Sequence, residues 1–143
     1  MEGRHGAARS VALDDRGQIV GESLDGDGPN GTEAHPVKWH NGGIVDLSPR
    51  DSSGAYDIED GAALSINNAD QIVGYVWTAS RDLRRAYIWE NGTGTDLGTL
   101  DDVDISLQSS ASDINDRGQI VGWSGRAADR SGNHPHAVLW THR

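Results

Sequence analysis

The chain has 143 residues with 12 Lys and Arg against 22 Asp and Glu, a formal net charge of -10. That balance repels phosphate backbones and anionic lipid surfaces, so neither nucleic acid nor a membrane is expected as a partner. There is no cysteine, which removes disulfides and thiolate metal sites, and a hydrophobic fraction of 35% with 19 glycines suits short strands and many turns better than long helices.

Residues 1–10 hold charges and glycines where a signal peptide would place an apolar core. The first predicted strand, A, covers 10–13, where small and apolar side chains alternate. An Asp-rich tetrad at 14–17 suits a tight turn, because Asp and Asn hydrogen-bond their own backbone and tolerate positive φ. Strand B follows at Gln18-Ile19-Val20-Gly21. A variable segment at 23–34 leads into strand C, His35-Pro36-Val37-Lys38-Trp39, and Asn41-Gly42 predicts a second hairpin into strand D at Gly43-Ile44-Val45-Asp46-Leu47.

The same order then recurs. INNADQIVG at 66–74 and INDRGQIVG at 114–122 repeat the segment at 13–21, and the strand-C tryptophans return as Trp39, Trp89 and Trp140. A second Asn91-Gly92 turn and the segment 94–98 close the second unit, whereas the third reaches Arg143 without a D segment. The chain therefore reads as one all-β repeat domain over 1–143, with units at about 9–48, 62–99 and 110–142. Four antiparallel strands per unit is the make-up of a propeller blade, and since four blades is about the minimum for closure, two chains are expected to complete a six-bladed ring. A β-trefoil, a β-prism, or a piece of a longer array are the alternatives.

These motifs resemble the HAF repeat family, whose unit runs roughly IN, turn, GQVVG, variable loop, HAFLW, short turn, DLG. The resemblance spans about residues 9–142 and departs at Val37, Tyr87 and Val138, which stand where that pattern has Phe, and at Arg85, which stands for its first His. It implies a propeller-like fold and an extracellular setting, and brings no catalytic residues.

Residues held at one repeat position are expected to be scaffold. The three tryptophans should fill the space between adjacent sheets, Gln18, Gln71 and Gln119 should satisfy backbone groups of a neighbouring strand, and Gly21, Gly74 and Gly122 should permit a bend or close approach. No familiar catalytic signature occurs. The candidates for acid/base work are His35, His134 and His136 with a loop carboxylate such as Asp57 or Asp102, and those for ligand binding are Arg81, Arg84, Arg126 and Arg130, of which Arg84 or Arg126 would serve an enzyme as an anion clamp. Asp25, Asp27 and Glu33 on a glycine-rich loop make calcium the one cofactor suggested, although Pro29 and Pro36 occupy positions where an EF-hand needs ligands.

The loops between strands B and C differ in every unit and, in an antiparallel blade, share an end with the D-to-A connections. A binding or interaction module presenting these acidic loops is the expected function, for a small molecule, glycan or protein. A small enzyme with a pocket at the loop face or central axis is the alternative.

Overall fold

The computed structural model describes residues 7–25, 33–48, 58–78, 83–101, 107–126 and 134–141, and in it each unit forms an antiparallel meander. The first sheet is β1 (Ala8–Leu13), β2 (Ile19–Asp25), β3 (Glu33–His40) and β4 (Gly43–Asp46). The second is β5 (Ile58–Ile66), β6 (Ile72–Thr78), β7 (Leu83–Glu90) and β8 (Thr93–Asp96). The third has three strands among the described residues, β9 (Ser109–Ile114), β10 (Gln119–Ser124) and β11 (His136–Thr141). No helix occurs among the described residues. Strand β5 begins earlier than the expected residue 62, because Ile58 and Asp60 still pair with Thr78 and Trp77 beyond a bulge.

The turn after each first strand is built by one Asx side chain. Asp14 Oδ1 accepts from the N–H groups of Arg16 and Gln18 at 3.0 and 2.9 Å. Asn67 does the same for Ala69 and Gln71, and Asn115 for Arg117 and Gln119, all at 3.0 Å. The repeated glutamines have a different partner from the one expected. Each amide closes on the Asx side chain of its own turn, Gln18 donating to Asp14 at 2.9 Å while Gln71 and Gln119 accept from Asn67 and Asn115 at 2.6 and 2.7 Å. The turn tips are then joined across sheets, since Asn68 Nδ2 donates to Asp15 at 2.9 Å and to Asp116 at 3.0 Å.

The second hairpins have the predicted chemistry: Asn41-Gly42 and Asn91-Gly92 have φ of 51°, 77°, 53° and 77°, the double left-handed conformation of a two-residue turn whose twist matches its strands. Every A–B strand pair also shifts register near the QIVG glycine. There a Cβ on Gly21, Gly74 or Gly122 would collide with the carbonyl oxygen of Arg9, Ala62 or Ser110. The bulge requires glycine at this position.

The sheets stack in chain order. One core joins the first two through Val20 on one side and Ile66, Ile72, Val76 and Trp89 on the other, and a second joins the next two through Val73, Ala86 and Ile88 against Ala111, Ile114 and Ile120. Strand β5 lies against β1, β2 and β3, and β9 lies against β5, β6 and β7, so each unit's first strand is applied to the preceding sheet. Among the described residues no core cluster joins the first sheet to the third, and neither a closed barrel nor a closed propeller ring is shown. Trp89 is buried against the first sheet, Trp140 packs half-buried against the second core, and Trp39, with no sheet stacked before it among the described residues, is half-buried.

Candidate functional site

In a meander the B-to-C and D-to-A connections leave from one end of each sheet, and the described residues there form a polar row on the second sheet. Asp60 pairs across to Trp77, and Trp77 to Arg84. The Arg84 guanidinium lies 4.3 Å from the ring centre of Tyr75 and 5.0 Å from that of Trp77, a doubled cation–π contact. Its Nε is buried with no hydrogen-bond partner, and its backbone N–H donates to Gln108 at 3.3 Å. Burial pushes the Asp60 carboxyl above its ordinary value, against the opposing pull of N–H groups from Gly61 and Ala34 and of the charges on His35 and Arg84. Burial likewise raises the Tyr75 phenol, keeping it a donor.

His35 is buried on β3, and its Nδ1 meets both the Ser48 hydroxyl at 2.9 Å and the Asp46 carboxylate at 3.7 Å. A nucleophile relay needs serine and carboxylate on opposite ring nitrogens, so these three residues do not form one. Their role is legible in the second unit, where Arg85 replaces the histidine and pairs with Asp96 at 3.0 Å. A basic side chain at the start of strand C reaches the aspartate ending strand D in both sheets. Asp46 and Asp96 also accept the N–H two residues on, from Ser48 and Gly98, at 2.8 and 2.7 Å.

The remaining candidates among the described residues are not gathered into one place. His134 is exposed ahead of β11 and His136 opens that strand half-buried, on the third sheet, whereas His35 is on the first. Arg126 is exposed beyond β10. Asp27, Asp57, Arg81, Asp102 and Arg130 lie outside the described residues, as do the side chains of Asp25 and Glu33, whose backbones pair at the ends of β2 and β3. Among the described residues no group of three His, Cys, Asp or Glu could hold a metal ion.

The hairpin end carries a cleft of about 620 Å³ between the first two sheets, lined among others by Lys38, Asp46, Asp70, Tyr87, Trp89 and Glu90. Lys38 bridges the sheets through an ion pair with Asp70 at 3.2 Å. Tyr87 and Trp89 lie with ring centres 5.6 Å apart, and the Trp89 Nε1 is buried without a hydrogen-bond partner. Gly94 sits across from Trp89, where a Cβ would come within 2.8 Å of Tyr87 and 3.1 Å of the indole. The first unit has Ile44 at this position, so the glycine opens the aromatic floor only in the second.

A family model described as a protein of unknown function, DUF3466, matches residues 5–139. The chain belongs to the DUF3466 family. No curated protein and no solved structure gives a significant match. The family match overturns the resemblance to HAF repeats, for which no match is indicated. The reason is physical: the residues that carried the resemblance are those an Asx turn, a glycine bulge and an inter-sheet tryptophan demand of this meander, so sharing them does not establish membership.

In this DUF3466 chain, Tyr75, Trp77, Tyr87 and Gly94 were not proposed as site residues by sequence reasoning, Tyr87 having been noted only for its departure from the HAF pattern. A signal for three of them existed: Tyr75, Trp77 and Gly94 depart from Glu22, Leu24 and Ile44 at the matching positions of the first unit.

Proposed function

We propose that this DUF3466 chain is a binding module on a propeller-type scaffold, holding a small polyhydroxylated ligand, a saccharide foremost, in the cleft between its first two sheets. The observation that carries the reading is the 620 Å³ cleft with its Tyr87 and Trp89 floor, because ligand sites are concave, apolar at the base and edged by a few polar groups. Its carboxylates Asp46, Asp70 and Glu90 face one cation, Lys38, an acceptor-rich rim suited to hydroxyl donors. The Trp89 Nε1 supplies a donor to a ligand oxygen. The face-to-face order of four-stranded meanders, each first strand laid on the preceding sheet, supports the propeller-type reading. Binding is favoured over catalysis because Ser48 and Asp46 share one nitrogen of His35.

The test is tryptophan fluorescence during titration with glucose, galactose and N-acetylglucosamine and their short oligomers, in wild type and in Gly94→Val, whose side chain fills the floor. A saturable wild-type response that disappears in the folded variant is expected. A flat wild-type response to every sugar at millimolar concentration, or one that survives in Gly94→Val, overturns the reading.

A further inference from the structure

Each internal sheet boundary uses two complementary faces, and among the described residues the outer sheets each leave one of them exposed. On the side turned to the preceding sheet, a row of cross-strand partners runs Ile66, Ile72, Trp89 in the second sheet and Ile114, Ile120, Trp140 in the third. The isoleucines are at most 7% exposed. In the first sheet the same row is Leu13, Ile19, Trp39 and Ile44, in register over all four strands, with Leu13 70% and Ile44 56% exposed. On the side turned to the following sheet, Val20, Val73 and Ile88 are at most 1% exposed, whereas Val121 and Leu139, at the positions of Val73 and Ile88, are 49% and 61% exposed.

We infer that a second copy of this chain covers these faces, the third sheet of one copy stacking on the first sheet of the other. The occupant follows from the chain's own interfaces. A valine at the position of Val121 packs against isoleucines at the position of Ile19 at both internal boundaries, so the complement of each bare face is the other bare face. Two such contacts close a two-fold ring of six sheets, leaving neither face wet. The apolar rows supply the attraction.

Light scattering after size exclusion, on the 143-residue chain at micromolar concentration, is expected to give twice the 15.3 kDa of one copy. Leu139→Asp should give a folded monomer by circular dichroism, because that side chain is not in the chain's own core. The absence of native cysteine makes cross-linking a second, independent readout. A mixture of Val121→Cys and Ile19→Cys should form a disulfide-linked dimer between the two variants, with neither linking to itself. A monomeric wild type, which would leave the faces to some other occupant, overturns the proposal; so does a Leu139→Asp dimer or a link that forms within Val121→Cys alone.

Discussion

The glycine of each QIVG segment is held by backbone rather than by side-chain packing. At Gly74 the obstacle is the carbonyl oxygen of Ala62, which cannot move without breaking the bulged pairing. Gly74→Ala is therefore expected to destabilise the fold by about 1–3 kcal/mol, the cost of overpacking, checked by urea unfolding. The need for glycine was legible from its recurrence; the atom it avoids was not, because a bulge is a property of the paired strand. Two carboxylates differ in the sign of their pH dependence. Burial alone would raise Asp14, but hydrogen bonds from Gln18 and Arg16 outweigh it and hold the carboxyl below 3.8. Its contribution is complete above 3.8, the unfolded value, and is lost as pH falls through the lower folded value. Asp60 is raised, so between 3.8 and its folded value the folded chain holds the extra proton and stability declines as pH rises. Asp14→Asn should reduce the acid-induced loss of stability, since Asn67 and Asn115 build the same turn uncharged, whereas Asp60→Asn should remove a decline above 3.8. Thermal unfolding from acid to neutral pH compares them, and parallel profiles for the two variants would contradict both assignments.

Strands and turns were read from the sequence with small errors, because each hairpin is specified locally by residues that adopt positive φ or bond their own backbone. The strand-C tryptophans illustrate where local reading stops. They recur at one position and share one face, yet Trp89 is buried while Trp39 is half-exposed, since only the former has a sheet in front of it. Trp89→Ala should cost about 3–5 kcal/mol, as large core truncations do, measured by denaturant unfolding. A change in midpoint within experimental error would place its ring outside the core.

For the whole molecule, association would make stability depend on concentration, because a partner that binds only the folded state stabilises it by mass action. The melting temperature of wild type should rise with protein concentration, and that of Leu139→Asp should not. Trp39→Ala belongs to this scale too. Its penalty should be small where the chain is dilute and larger where copies associate, and a penalty independent of concentration would argue that no second copy reaches the first sheet.

By itself the sequence determined the repeat, the strand order, the turn types and the positions that require glycine, all of which depend on neighbours within one hairpin. It did not determine the site. Lys38 and Asp70 are 32 residues apart and meet only because the second sheet stacks on the first, and the cleft beside them exists because Gly94 faces Trp89 across a strand pair. Nor did local pattern distinguish His35 as a strand tie from His35 as a base, since that depends on which ring nitrogen Ser48 and Asp46 reach. Short-range hydrogen bonding is written in residue order, whereas cavities and shared nitrogens arise from the relative placement of sheets, which only the packed structure decides.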